Sequence, residues 1–249
     1  ENGHLVGASM VLVKISYPGY EDINIFFMGD YNNKNMFLDL YELDKLVKDM
    51  NLTVITEATY GDMDSSEMHE CFEENIVKCI SEGGTAIIPV FSLGRSQEIL
   101  YKMQEFQNKG VLSSEIPIRF DGKLGIKYTN LFLKGSLHIK ESMRNFLPQN
   151  FTFVDKSTRE SVLKSTDSQI ILTTSGMGSY GPAQLYIPEY IRRPNALIHF
   201  TGYTAPDTLG GRLKNTPIGE IVEISGLRVK KAANVEYTNE FSAHAKADE

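Results

Sequence analysis

A chain of 249 residues with 41% hydrophobic and 23% charged side chains can bury one large core or two ordinary ones, and no stretch of it approaches the roughly 20 apolar residues of a membrane helix. No basic segment followed by an apolar run marks a signal peptide. The net charge of −7 excludes a grip on nucleic acid through bulk positive charge, so binding such a polymer would require a local groove and bound cations.

The first third alternates strand and helix patterns. Residues 9–16 place Met10, Leu12 and Val13 in an apolar strand, and residues 22–27 read as its partner across a turn containing Pro18 and Gly19. A helical period follows in Phe37, Leu40, Tyr41, Leu43, Leu46 and Val47, then a strand over residues 52–56. Asp64 and Glu67 have capping-box spacing, which predicts a helix from there to the stop at Gly83-Gly84. Cys71 and Cys79 both fall in it, about 12 Å apart at 1.5 Å per residue. That is too far for a disulfide, so both are expected reduced in a cytoplasmic protein.

Residues 85–91 are apolar throughout, as in a strand buried on both faces. A helix is expected over residues 96–108, with Ile99, Leu100, Met103 and Phe106 inward. Further strands are expected at 116–120, 151–154, 169–173 and 196–201, with helices around 137–146, 159–164 and 184–191. The last stretch, 220–224 and 228–237, reads as paired strands. Repeated strand–helix units predict an α/β fold with a mainly parallel sheet covered on both faces.

Four polar residues, His4, Asp30, Glu57 and His244, sit where strands are expected to end, the usual place for ligands in open α/β sheets. Taken singly, each has an ordinary reading as a turn residue, a cap or a surface charge. Their surroundings distinguish them. Gly3-His4-Leu5-Val6-Gly7-Ala8-Ser9 resembles a GHxxGS segment, and Phe27-Met28-Gly29-Asp30 resembles F-T-G-D. Glu57-Ala58-Thr59-Tyr60-Gly61 is similar to E-S-T-Y-G, and the run from Pro89 to Glu98 to PVFALGRAQE. Phe200-Thr201-Gly202-Tyr203 with Thr208-Leu209-Gly210, and finally Phe241-Ser242-Ala243-His244, complete an ordered set across the chain. Together they resemble the β-CASP metallo-β-lactamase-fold nucleases, in particular ribonuclease J and the cleavage and polyadenylation endonuclease.

The resemblance implies a parallel-sheet β-CASP domain with helices on both faces at residues 62–238. It would be flanked by portions of a metallo-β-lactamase αββα domain at 1–61 and 239–249. It implies a zinc-dependent nuclease that hydrolyses phosphodiester bonds in RNA, with two zinc ions in the complete protein. His4 and Asp30 would be metal ligands, with Asp30 bridging the ions. His244 and Glu57 would be catalytic: His244 protonating the leaving oxygen, Glu57 fixing its tautomer. Arg95, Ser175 and Gly176 are candidates for substrate phosphate, against ordinary readings as a packing residue and a plain turn. Arg212, Lys214, Arg228, Lys230 and Lys231 form a basic cluster that reads equally as groove lining or solvated charge. His69, His138 and His199 carry no motif.

The expected partner is RNA, with no membrane and with a homodimer left open. The family's HxHxDH segment and third β-CASP histidine lie outside these residues, so the isolated chain is expected to bind zinc poorly and to be nearly inactive. Lys246 stands where the family has Asp, and Asp248 comes later. A non-catalytic RNA-binding scaffold and a DNA-processing nuclease are the competing readings.

Overall fold

The computed structural model of the chain describes residues 1–40, 45, 47–135 and 139–248. The chain divides into two compact units, one of Glu1–Met68, Lys134–Arg144 and Ser242–Glu249, the other of His69–Leu133 and Asn145–Phe241. Among the described residues no helix is long and apolar enough to cross a membrane.

The first unit is built on a three-stranded sheet of order β1-β2-β3. Strands β1 (Val11–Ile15) and β2 (Ile23–Gly29) form the expected antiparallel hairpin, with Val11 opposite Phe27, and β3 (Leu52–Thr56) runs parallel to β2. Between β2 and β3, Asn35 Oδ1 accepts from the backbone N–H groups of Phe37 and Leu38 and turns both into the interior. Leu38 then bridges Ile139, and Lys140 donates its N–H to Phe37 O at 2.8 Å. The stretch Lys134–Arg144 therefore belongs with the first unit, where the sequence reading had one continuous insertion from 62 to 238. Of the helix expected at 137–146, residues 137 and 138 lie outside the described residues, and the rest holds a single 3₁₀ turn, Glu141–Met143. Tyr41, Leu43 and Leu46, from the period expected to be helical, also lie outside them.

The second unit carries a six-stranded parallel sheet of order β11-β8-β4-β7-β5-β6. Its strands are β4 (Thr85–Pro89), β5 (Ile118–Asp121), β6 (Phe151–Phe153), β7 (Gln169–Thr173), β8 (Ala196–Phe200) and β11 (Asn234–Tyr237). Every residue of β4, β7 and β8 is buried, so both faces of the sheet centre are covered, as their unbroken apolar runs require. The covering helices are α1 (Phe72–Ser81), α2 (Arg95–Asn108), α3 (Lys123–Leu133), α4 (Arg159–Lys164), α5 (Ala183–Tyr190) and α6 (Leu209–Asn215). Strands β9 (Ile221–Ile224) and β10 (Leu227–Lys230) pair as a hairpin of their own. The segment expected to continue that pairing instead joins β8 in parallel as β11, because Val235 registers with Ile198.

Two local expectations change. Asp64 makes no side-chain cap and starts only a 3₁₀ turn, Ser65–Glu67. Helix α1 begins at Phe72, whose N–H is accepted by Glu240 Oε1 at 3.2 Å, so a residue far along the chain caps it. Helix α3, which carries Gly125, was not among the expected elements. A Cβ there would stand 2.4 Å from Phe120 Cζ, so glycine is what lets this helix lie close against β5.

Candidate metal centre

All four singled-out polar residues lie in the first unit. His4 sits in a turn closed by Asn2 N–H to Ala8 O at 3.0 Å. Gly3 beside it has φ +78°, and a Cβ there would stand 2.0 Å from Asn32 O, so only glycine allows the turn to approach so closely. Asp30 directly follows β2, past a register irregularity between Phe27 and Gly29. Glu57 directly follows β3. The segment bearing His244 lies along these loops through Ala245 N–H to Tyr31 O at 2.8 Å, Ala247 N–H to Met63 O at 3.0 Å and a parallel bridge between Tyr60 and Lys246.

Asn2 ties the first two loops together. Its side chain is 3% exposed, Nδ2 donates to Met28 O at 2.9 Å and Asp30 O at 2.6 Å, and Oδ1 accepts from His4 N at 3.2 Å. Reading the sequence did not single out Asn2, since its only signal is adjacency to Gly3-His4.

One donor atom each from His4, Asp30 and His244 fall within 4.8 Å of one another. His4 Nε2 is 4.0 Å from Asp30 Oδ2, and the two imidazole centroids are 4.7 Å apart. Each ring spends Nδ1 on a fixed acceptor. His4 Nδ1 donates to Ala243 O at 2.8 Å, and His244 Nδ1 donates to the Glu57 carboxylate at 2.7 and 2.8 Å. Both therefore keep the Nε2 lone pair open. Imidazoles whose second nitrogen is held by a carbonyl or a carboxylate are the usual form of zinc-ligating histidine. Imidazole nitrogen and carboxylate oxygen suit zinc, whose ligands stand about 2.0–2.2 Å away, so the donor set fits that ion.

Glu57 is held with its side chain 10% exposed. Burial pushes its carboxyl up. The hydrogen bonds it accepts from Thr59, from the Tyr31 N–H and from His244 outweigh that and leave it below the ordinary glutamate value. It is thus a carboxylate whenever His244 needs an acceptor. Asp248 does not reach this group: its carboxylate accepts from Ser65 N–H and Oγ, both at 3.0 Å.

Residues 96–213 match the Beta-Casp domain family. "Transcription termination factor FttA" of Methanosarcina mazei is 29% identical over 85% of this chain and 34% of its own length. "Endoribonuclease ysh1" of Schizosaccharomyces pombe is 28% identical over 97% of this chain and 32% of its own. "RNase J-like protein" of Methanocaldococcus jannaschii is 29% identical over 97% of this chain and 56% of its own.

Residues 96–213 form a Beta-Casp domain.

This chain spans about a third to a half of the length of these relatives. Within the β-CASP unit, the residues expected at substrate phosphate divide. Arg95 is spent internally: its guanidinium donates to Thr201 O, to Phe241 O and, at 3.0 Å, to Glu98 Oε2, with its side chain 10% exposed. It fastens three segments of the unit, and its cation also lies over the Phe241 ring. Ser175 and Gly176 lie in the turn after β7, where Ser175 Oγ accepts from Tyr180 N–H at 3.2 Å and buried Gly176 packs under Phe91. Of the basic cluster, Lys231 is 5% exposed and donates to Leu213 O and Thr216 O, closing the end of α6, so it lines no groove. Lys214 rests 3.6 Å above the Tyr237 ring.

Proposed function

We propose that this chain supplies part of the centre of a zinc-dependent ribonuclease. The observation that carries the proposal is the convergence of His4, Asp30 and His244, with both imidazoles held by Nδ1 so that Nε2 is open. The names of the endoribonuclease and RNase J-like relatives support RNA as the substrate.

His4 Nε2 and the Asp30 carboxylate would hold zinc. Asp30 has its side chain 61% exposed, which leaves a second oxygen for a second ion. Zinc bound there would supply positive charge to the scissile phosphate and an acidified water. His244, backed by Glu57, would take up a proton at its open Nε2 and, as the imidazolium, pass it to the leaving oxygen. The Nδ1–H to carboxylate contact sets that tautomer and steadies the ring when it is charged. In the β-CASP unit, half-buried Ser175 would approach substrate phosphate, whereas Gly176 packs under Phe91 and Arg95 supports the loops from within.

The roles separate in the complete protein loaded with zinc. His244→Ala is expected to lower RNA turnover by about 100-fold or more, the usual range for a lost general acid, while zinc content stays near that of the parent. Loss of zinc in that variant would make His244 a ligand and overturn the proton-transfer assignment.

A further inference from the structure

Because all six strands of the β-CASP sheet are parallel, their C-terminal ends share one edge, and the loops there follow the strand order. Reading across from β8 to β6, the side chains on those loops form a series. Tyr203 follows β8, Phe91 follows β4 and Tyr180 follows β7; Lys123 follows β5 and Lys156 follows β6. The aromatic rings face water: Tyr180 is 76% exposed, Tyr203 63% and Phe91 44%. Both lysines are exposed as well.

A buried core explains none of the three rings, yet the loops that carry them are fixed. Tyr180 O accepts from Ser175 N–H at 3.0 Å, Gly210 N–H donates to Met177 O at 3.0 Å, and Leu209 N–H donates to Ser179 Oγ at 3.1 Å. Phe91 leans on Gly176, where a Cβ would stand 2.9 Å from its ring. Rigid, solvent-facing aromatics lose little entropy when a planar partner stacks on them. Of the carboxylates on this edge, Asp121 is buried against Arg159 and Tyr186, and Asp155 is engaged by Ser157 and Thr158, which leaves Asp207 exposed beyond Tyr203. The lysine end is thus the cationic end.

We propose that this edge is a track for single-stranded RNA. Bases stack on Tyr203, Phe91 and Tyr180, and Lys123 and Lys156 meet the phosphates that continue past them. Four strand-to-strand steps of about 4.8 Å give a row of roughly 19 Å, room for a few nucleotides. Stacking tolerates any base, and a short row of cations holds the backbone locally, which is how a chain of net charge −7 can bind a polyanion. The inference rests on the RNA reading above and adds to it where the strand is held.

The test uses the complete protein and two labelled probes, an oligouridine and an abasic oligomer with the same number of phosphates. Alanine in place of Tyr180, Tyr203 or Phe91 is expected to weaken oligouridine binding by about 5- to 150-fold each, the range for a lost stacked base. Abasic binding should hold, and Tyr203→Phe should bind like the parent. Lys123→Ala with Lys156→Ala should weaken both probes and flatten the salt dependence. Melting temperatures check folding; if Phe91→Ala unfolds, the two exposed tyrosines carry the test. Unchanged oligouridine binding, or equal losses on both probes, overturns the proposal, and unchanged RNA binding with loss of a protein partner would make the edge a peptide surface instead. Hydrolysis of bis(4-nitrophenyl) phosphate by the parent, abolished by Asp30→Ala, is read alongside. Its absence would remove the nuclease reading while the binding result still decides the track.

Discussion

Asn2→Ala is the substitution that most sharply separates a built metal site from a chance cluster. The wild-type side chain is buried and makes hydrogen bonds to Met28 O, Asp30 O and His4 N, at 2.9, 2.6 and 3.2 Å. Alanine leaves two carbonyls and one N–H, all partly buried, without this partner. At about 1 kcal/mol for each lost bond, with further desolvation cost for groups left unpaired, the loss comes to about 2–4 kcal/mol of local stability. It falls on the contacts that set the distance between His4 and Asp30. Removing an outer partner of a metal ligand ordinarily weakens metal affinity by about 10- to 100-fold. The assay is competition for zinc against a chromophoric chelator, run on the complete protein with Asn35→Ala as a control in the same unit. Asn35 holds Gly3 O at 2.7 Å but touches neither donor. Zinc affinity in Asn2→Ala equal to the parent's, or lost equally in the control, would refute the reasoning.

Two further outcomes follow from the β-CASP unit. Burial holds His199 neutral, with its pKa down to about 4 from 6.5; Nδ1 donates to Phe200 O and Nε2 accepts from Asn75. Its folded value lies below its unfolded one, so the unfolded chain binds the extra proton first. The stability is whole above pH 6.5 and drains as the pH falls toward 4, by about 3 kcal/mol at 1.36 kcal/mol per pH unit. Urea midpoints from pH 7.5 to 4.5 should show this slope and lose most of it in His199→Leu; an equal slope in both would exclude His199 as its source. Gly125→Ala forces a methyl to 2.4 Å from Phe120 Cζ and should cost about 1–3 kcal/mol, read as a lower melting temperature. An unchanged melting temperature would show that α3 can move off β5 freely.

The parallel sheet was legible because β4, β7 and β8 are short, β-rich and apolar at every position, a pattern that only a doubly covered sheet produces. The donor residues were legible by their place at strand ends and by the segments around them. What escaped depends on contacts distant in sequence. Glu240 caps α1 across more than 160 residues, and Asn2 reaches across to Met28 and Asp30. Arg95 looked available to phosphate because it opens a helix after a buried strand, yet Thr201 and Phe241 claim its guanidinium. Lys231 looked like surface charge in a basic run, yet its four-carbon stem passes under α6 to the carbonyls of Leu213 and Thr216. Helix α3, not among the expected elements, carries Gly125, a residue that local propensity penalises and the close approach of Phe120 requires.

Whether His4, Asp30 and His244 belong to a metal centre that cuts RNA is decided by one cleavage experiment. The complete protein is incubated with zinc and with matched labelled RNA and DNA oligonucleotides, beside Asp30→Ala. Cleavage of RNA alone, abolished in Asp30→Ala, is the predicted result. Cleavage of neither strand by the zinc-loaded parent, or RNA cleavage that survives Asp30→Ala, would contradict it.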